Sequence, residues 1–467
     1  MTLPAKFVER VLRDLGGTEG AALCAALDAE PPVSVRLNPA KTGADTLPAG
    51  PDAGLPVPEA AGLPALAIAG RVPWSRDGRY LAVRPSFTLD PDFHAGAYYV
   101  QEASSQFVGH LLAAVRTEGA RILDLCAAPG GKTTLYASLA GPDGLVVANE
   151  IDRRRASVLA DNVRKWGTGN VAVTTCEPRA LGDFEAWFDV VAVDAPCSGE
   201  GMFRKDPDAR GEWSEGNVKQ CAARQDEILR EAWRALRPGG TLVYSTCTFN
   251  RDEDEGALER MAAWAGDEIA ESEETAVEDA WGIVCGRVGA FRTFRFYPHR
   301  TCGEGFLAAV ARKSFDAGGR VRAPKARRTV FAAVDRKTAG ELARWVRNPG
   351  GMHFAAVADT CYAWYAAQAD AVRTLSEALP VIYSGVALGQ VFKGVLKPDP
   401  ALAFFDGMNR GALPAAELDD EETLRFLRRQ DIAAGGLAEG MNLVCSRGRA
   451  LGFAKRIGAR VNNLYPS

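Results

Sequence analysis

The spacing of apolar residues divides the chain into segments with different predicted structures. An apolar stripe at helical spacing over residues 7–15 predicts one or two helices within residues 1–30. From Pro31 to Pro64 the sequence is rich in Pro, Gly and Ala, which favours loops and short extended pieces. The regular pattern begins only after these segments.

Between about residues 100 and 313, apolar strand-like segments alternate with helical patterns. Two of the helical patterns are Arg153–Trp166 and Gln220–Leu236. The strand-like segments are Arg121–Leu125, Leu145–Glu150, Asn170–Thr175, Asp189–Asp194, Thr241–Ser245 and Arg292–Tyr297. This alternation predicts an α/β fold with a mainly parallel, doubly wound sheet.

Charged stretches help to place the domain boundaries. Residues 252–279 are strongly acidic and are predicted to form a solvated helical face, whereas Gly318 to Arg328 is basic and resembles a linker. The predicted divisions are a small N-terminal module at 1–95, the α/β domain at 96–315, a linker at 316–330 and a C-terminal region at 331–467.

Composition excludes several classes of protein. The chain has 467 residues, 47% of them hydrophobic, which is too apolar for a disordered chain. No apolar run approaches the roughly 18 residues of a membrane span, and the start lacks a secretory pattern, so we expect a cytoplasmic protein without membrane contact. The net charge of −4 disfavours bulk coating of nucleic acid but leaves room for local basic patches.

The ten cysteines are scattered and include no Cys-x-x-Cys pair. In a long chain this favours reduced thiols, most of them small core residues. Ligand spacing for a metal is absent, so we expect no metal site.

The loop after the first strand is the first candidate site. Gly130 and Gly131 would let a ligand approach the backbone, and a helix start follows. A nucleotide triphosphate loop would need glycine where Cys126 stands, and the dinucleotide pattern Gly-x-Gly-x-x-Gly is also absent. The remaining possibility is a cradle for a nucleoside without phosphates.

Two acidic residues support that interpretation. Glu150 ends the second strand, where a carboxylate can accept hydrogen bonds from ribose hydroxyls. Glu177 follows the third strand, where it could meet the exocyclic amine of adenine. Each could instead be a surface carboxylate. A ribose anchor without a phosphate site suggests S-adenosylmethionine.

Two cysteines follow two later strands. Asp194 and Cys197 come directly after one buried strand, and Cys247 follows the next. If these strands are neighbours, their separation of about 4.8 Å brings both sulfurs into one pocket at the carboxyl edge of the sheet. A buried structural role is the alternative for either thiol taken alone.

Methylation of a pyrimidine at C5 needs a thiol beside a methyl donor. A thiolate that adds to C6 turns the ring into an enamine whose C5 can attack the methyl group. An acid must share a proton with N3, for which Asp194 is placed, and a base must remove the C5 proton, for which Cys197 is the candidate.

These residues carry a resemblance to a known family. The chain resembles the Sun-type RNA cytosine-5 methyltransferases, and within them the bacterial RsmF-like branch that acts on 16S ribosomal RNA. The matching runs are Tyr99–Ser105, Leu123–Thr133, Val147–Glu150, Val193–Pro207, Tyr244–Phe249 and Gly303–Phe306.

The resemblance implies a Rossmann-like, S-adenosylmethionine-dependent methyltransferase. It implies that Cys247 is the nucleophile, that Cys197 assists release and that Lys132 lies near Asp194. The implied cofactor-binding residues are Cys126, Ala127, Ala128, Pro129, Gly130, Gly131, Lys132, Glu150, Glu177 and Asp194. Many members carry Asp where this chain has Glu177, which leaves the adenine contact open.

The flanks also resemble this branch. Residues 3–10 and 33–39 are similar to an N-terminal RNA-recognition module, and residues 451–466 are similar to a C-terminal PUA-like domain. Basic residues in the tail and at Lys393 and Lys397 would neutralise phosphates of ribosomal RNA or of the small ribosomal subunit. We expect a monomer.

Three other functions are considered. Transfer RNA is the alternative substrate. A DNA cytosine-5 methyltransferase would use the Pro196-Cys197 thiol as nucleophile, but no Glu-Asn-Val run follows. A non-catalytic ribosome-assembly protein is the alternative from another class, and intact Asp194, Cys197 and Cys247 speak against it.

Overall fold

The computed structural model describes residues 2–43 and 63–466. The part of the expected loop region at 44–62 lies outside the described residues. Within the described residues, no helix is long and apolar enough to cross a bilayer.

The N-terminal module consists of two helices and a small sheet. The predicted helices are present as α1 (Ala5–Leu15) and α2 (Gly17–Ala26). The strands, in the spatial order β2-β3-β1-β4, are β1 (Val33–Leu37), β2 (Ile68–Arg71), β3 (Gly78–Leu81) and β4 (Tyr98–Tyr99). The short helices are α3 (Pro39–Thr42) and α4 (Pro91–His94). Phe7 of α1 packs edge-on against Phe203 at 5.0 Å between ring centroids, which fixes α1 beside the α/β domain.

The α/β domain is built on a ten-stranded sheet. Its helices are α5 (Phe107–Ala113), α6 (Gly131–Ala140), α7 (Arg153–Trp166), α8 (Pro178–Gly182), α9 (Ala209–Glu212), α10 (Glu215–Ala235) and α11 (Glu255–Ala265). Its strands are β5 (Arg121–Asp124), β6 (Leu145–Asn149), β7 (Val171–Thr174), β8 (Phe188–Asp194), β9 (Leu236–Thr246), β10 (Ile269–Ala270), β11 (Val284–Val288), β12 (Phe291–Phe296) and β13 (Phe306–Lys313).

The middle of this sheet is parallel, as predicted, and its flanks are antiparallel. Strands β7, β6, β5, β8 and β9 pair in parallel in that order. Strand β13 pairs antiparallel with β9 and continues into β12 and β11. The order reverses between β5 and β8, and such a switch point opens a crevice at the carboxyl ends of the strands. The fold class is therefore confirmed.

The C-terminal region adds two further sheets and one strand. Its helices are α12 (Arg336–Ala343), α13 (Ala369–Ala378), α14 (Pro400–Phe404) and α15 (Asp420–Leu427). Its strands are β14 (Ala332–Ala333), β15 (Met352–Val357), β16 (Thr360–Tyr365), β17 (Val381–Ser384), β18 (Val386–Phe392), β19 (Val395–Pro398), β20 (Ala415–Glu417), β21 (Gly440–Ser446), β22 (Arg449–Ile457) and β23 (Arg460–Asn463). Strand β17 lies apart from these two sheets and pairs antiparallel with β7, which completes the ten-stranded sheet.

One prediction about the acidic stretch is wrong. Glu253 and Asp254 are fully buried, not solvated. Asp254 forms an ion pair with the buried Arg295 at 2.9 Å, and Thr246 donates a hydrogen bond to it at 2.5 Å. Arg295, the partner that makes burial of the charge tolerable, lies on β12, far along the chain from Asp254, so local composition could not reveal it.

Candidate functional site

The two cysteines lie where neighbouring parallel strands end. In the β8–β9 ladder Asp194 is opposite Ser245, so the segments that follow leave the sheet side by side. The Sγ atoms of Cys197 and Cys247 are 3.3 Å apart, and both thiols are free and partly buried. The structure therefore brings together the two thiols that the sequence placed after separate strands.

The two thiols are not in equivalent surroundings. The hydrogen bond with Cys247, and then burial, raise the pKa of the Cys197 thiol well above its usual range. Cys197 is thus held as a neutral S–H that can donate to the neighbouring sulfur. The backbone of Cys247 is fixed by Gly201, whose N–H donates to its carbonyl at 2.9 Å.

Lys132 and Asp194 form an ion pair next to the thiols. The Lys132 Nζ atom lies 2.9 Å from Asp194 Oδ2, and the Ser245 hydroxyl donates to Asp194 Oδ1 at 2.7 Å. Burial alone would lower the pKa of Lys132, but the Asp194 carboxylate outweighs it and the pKa is raised. Two donors on one carboxylate fix its orientation.

The loop from Cys126 to Lys132 lies between the ends of β5 and the start of α6. The N–H of Ala127 donates to the Asn149 carbonyl at 2.8 Å, which anchors the loop to β6. Gly130 has φ +110°, and a Cβ there would lie 3.0 Å from Leu159 Cδ1. Only glycine fits this conformation and this close packing.

Several carboxylates surround this loop. Glu150 is only 4% exposed and accepts a hydrogen bond from the Asp152 N–H at 3.0 Å. Its Oε2 atom lies 3.3 Å from Arg155 Nη1, with which it forms an ion pair. Asp124 is buried beside it; Thr133 donates to its Oδ2, whereas its Oδ1 has no partner among the described residues. Burial raises the pKa of Asp124 to about 7, although the Thr133 hydrogen bond opposes the shift.

This group of carboxylates fits S-adenosylmethionine. Asp124, Glu150 and Asp194 act electrostatically on the same partly buried Cys126, and together they suit a ligand that carries a sulfonium and an ammonium group. A phosphate-bearing ligand would be repelled by them. The orphaned Asp124 oxygen leaves a buried acceptor for a donor group. Glu177 is exposed at the start of α8, open to solvent, and its side chain does not cap that helix.

Sequence reasoning missed two buried glutamates that join the cysteine loops. Glu200 accepts hydrogen bonds from Thr248 Oγ1 at 2.8 Å and from the Phe249 N–H at 2.9 Å. Glu253 accepts from the Ser198 N–H at 2.9 Å. Glu200, in the loop of Cys197, thus binds the loop of Cys247, and Glu253, which follows Cys247, binds the loop of Cys197. Their closeness to Cys197 and Cys247 in sequence was the available signal.

Glu253 is held by amides as well. Gln225 Nε2 donates to its Oε2 at 3.0 Å, and Asn250 Nδ2 donates to its Oε1 at 2.8 Å. Burial raises the pKa of Glu253, and these hydrogen bonds oppose the shift. The network fixes the relative position of the two loops, and with it the distance between the sulfurs.

The chain is similar to known proteins over most of its length. Residues 111–312 match the 16S rRNA methyltransferase RsmB/F family, residues 3–103 match the N-terminal domain of 16S rRNA methyltransferase RsmF, and residues 414–467 match the methyltransferase RsmF PUA domain. A methyltransferase homolog protein from Pyrococcus horikoshii has the same catalytic fold, with 27% identity and a TM-score of 0.52, over 66% of this chain and 94% of that chain.

Two relatives match most of the chain. The ribosomal RNA small subunit methyltransferase F of Shewanella loihica is 31% identical over 415 residues, which cover 85% of this chain and 82% of the relative. The protein of the same name from Escherichia coli strain SE11 is 32% identical over 421 residues, covering 85% and 83%. The predicted resemblance is confirmed: the chain belongs to the RsmF family of 16S rRNA methyltransferases.

Proposed function

We propose that this protein transfers a methyl group from S-adenosylmethionine to C5 of a cytosine in 16S ribosomal RNA. The observation that carries the proposal is the pair of sulfurs 3.3 Å apart beside the Lys132–Asp194 ion pair. The names of the relatives support the class of RNA. S-adenosylmethionine, held by residues 126–132 with Glu150, Glu177 and Asp194, supplies the methyl group.

The chain's own residues prepare the cytosine for transfer. The Cys247 thiolate forms a bond to C6, and the electrons of the C5–C6 double bond move through the ring toward N3. The proton that N3 takes up leaves the Lys132 ammonium and passes through the Asp194 carboxylate, 2.9 Å away, which acts as a relay. C5 is then electron-rich enough to accept the methyl group.

Cys197 acts after methyl transfer. Its hydrogen bond with Cys247 is the largest cause of its raised pKa. Once the Cys247 sulfur is bonded to carbon, that cause is weakened, so Cys197 loses its S–H proton to solvent and its thiolate then takes the C5 proton. The C5–C6 double bond re-forms, N3 returns its proton through Asp194 to Lys132, the Cys247–C6 bond breaks and the thiolate is released.

The test compares three cysteine variants on 16S ribosomal RNA. We expect Cys247→Ala to abolish methyl transfer and Cys197→Ala to accumulate a covalent protein–RNA adduct that survives denaturing electrophoresis. The half-buried Cys221→Ala on α10 is the control and should retain turnover. Full turnover by Cys247→Ala would refute the nucleophile, and the absence of an adduct with Cys197→Ala would refute the role in release.

The substrate is tested by mapping 5-methylcytosine in total RNA with and without the gene. Loss of a site in 16S ribosomal RNA supports the proposal, whereas loss only in transfer RNA contradicts it. We also propose that the protein works as a cytoplasmic monomer, divided into an N-terminal RNA-recognition module at 1–95, the catalytic domain at 96–315, a linker at 316–330 and an RNA-binding region at 331–467. Light scattering of the purified protein tests the monomer.

A further inference from the structure

The hairpin formed by β18 and β19 ends in an unusual turn. Phe392 and Val395 are paired, so Lys393 and Gly394 form a two-residue turn in which φ is +52° and +81°. Such turns favour Asn-Gly or Gly-Gly, because both positions are left-handed. Lys393 is therefore a non-glycine residue held in an unfavourable conformation, and such residues cluster at functional positions.

The tip also exposes apolar side chains. Alternation along the strands directs Phe392, Val395 and Lys397 to one face, while Leu396 is buried on the other. Phe392 is 71% exposed and Val395 is 65% exposed. Phe392 and its cross-strand partner Val395 thus face solvent together and do not contribute to the core.

Cations surround this apolar pair. The Lys393 Nζ atom lies 5.4 Å from the Phe392 ring centroid, and Lys397 lies on the same face. The Lys337 Nζ atom of α12 is 3.4 Å from where a Cβ of Gly394 would be. The acidic residues nearby face the backbone, since Asp335 caps α12 by accepting from the Thr338 N–H at 2.7 Å.

Glu341, the other neighbouring acid, accepts from the Leu396 N–H at 3.0 Å. The exposed face of the tip is therefore positive and aromatic at once. Unpaired nucleic acid binds such surfaces, because each base offers a face for stacking and each phosphate a negative charge. A purely apolar protein contact would not gain from three lysines at its rim.

We infer that the tip of this hairpin binds single-stranded RNA of the substrate. Phe392 stacks on one unpaired base, and Lys393, Lys397 and Lys337 contact the adjacent phosphates. The site lies between the matched family regions, which end at residue 312 and resume at 414. The inference rests on the proposed function, since it takes the substrate to be RNA.

The test measures the affinity of the full-length protein for a single-stranded fragment of 16S ribosomal RNA by fluorescence anisotropy. Phe392→Leu keeps an apolar side chain but loses the stacking face, so we expect Kd to rise about 5- to 100-fold. Phe392→Trp keeps the face and should stay within about twofold of the parent protein. Equal affinity of the Leu variant and the parent would overturn the inference.

A second variant separates RNA contact from a structural role. Lys393→Asn suits the turn, so it should raise the melting temperature while weakening RNA binding. With Lys397→Ala added, the slope of log Kd against log salt should fall by about 1.4, as for two phosphate contacts. Lys219→Ala, an exposed lysine on α10, should leave the slope unchanged. An unchanged slope in the double variant would contradict the phosphate contacts.

Methyl transfer by the parent protein to 16S ribosomal RNA is measured in parallel. Methylation together with normal binding by Phe392→Leu refutes the hairpin site and leaves the proposed function intact. Lack of methylation by the parent protein refutes the proposed function itself. If Phe392→Leu weakens binding only to the assembled small subunit, the partner is a protein and the RNA inference fails.

Discussion

Gly201→Ala tests whether the position of Cys247 governs the rate. A Cβ at Gly201 would lie 2.5 Å from the Gly305 carbonyl oxygen and 2.9 Å from that of Cys247. Both are backbone atoms, which cannot rotate away as a flexible side chain can. Contacts below 3.0 Å are essentially never seen for a real Cβ, so the backbone must shift by about 0.5 Å.

The size of the effect follows from that shift. Overpacking of this kind costs about 1–3 kcal/mol of folding stability. A displacement of about 1 Å at a reacting group can lower a rate about 100-fold, so we expect methyl transfer to slow by about 10- to 100-fold. S-adenosylmethionine affinity should change little, because its loop lies on another strand.

The assay is single-turnover methylation of 16S ribosomal RNA, with circular dichroism and urea unfolding to verify the fold. Gly216→Ala is the matched control, because a Cβ there meets only Ser214 Oγ, at 3.8 Å. A folded Gly201→Ala protein that methylates within about twofold of the parent rate would refute the argument that Gly201 positions the nucleophile.

Three further predictions concern buried charges. The pKa of Asp124 is raised to about 7, so the neutral carboxyl stabilises the fold in acid and this stabilisation is lost as the pH rises through 7. In Asp124→Asn the free energy of unfolding in urea should therefore fall less between about pH 4 and pH 8 than in the parent protein. Asp143→Asn, at an exposed position, should show the same fall as the parent protein. Arg36→Ala removes hydrogen bonds to Gln101 Oε1 at 2.7 Å and Thr134 Oγ1 at 2.6 Å, and should lower the free energy of unfolding by about 3 kcal/mol; a loss below about 1 kcal/mol would contradict this. Glu253→Ala removes charged hydrogen bonds from three donors and leaves the buried Ser198 N–H without an acceptor, while Gln225 and Asn250 keep the Pro196 carbonyl and Thr248 Oγ1. It should cost about 3 kcal/mol and slow adduct formation, while Glu253→Gln should cost less; equal costs would argue against the hydrogen-bond network.

The parallel core and its chemistry could be predicted because they depend on local patterns. Apolar runs alternating with helices predict parallel strands, and parallel strands bring their carboxyl ends to one edge. That rule predicted that Cys197 and Cys247 lie close together if their strands are neighbours, and β8 and β9 are neighbours with the two sulfurs 3.3 Å apart. The ion pair of Lys132 with Asp194 came from the resemblance, not from spacing.

Other features depend on partners far along the chain. Strand β13 was not expected, and its antiparallel pairing with β9 closes one side of the parallel core. Glu253 belongs to an acidic run that looks solvated, yet its partner Gln225 comes from α10. Burial of a charge is decided by such tertiary contacts, which local composition does not report.

Strand β17 has a consequence for the synthesis of the chain and for the exchange of its domains between proteins. Residues Val381–Ser384 pair with β7, so the catalytic sheet stays open along one side until more than four-fifths of the chain has been synthesised. A shortened product that stops after β13 would present that bare rim to other chains and tend to aggregate. The α/β domain and the C-terminal region therefore cannot be exchanged as independent units, because the sheet of the first takes its outermost strand from the second.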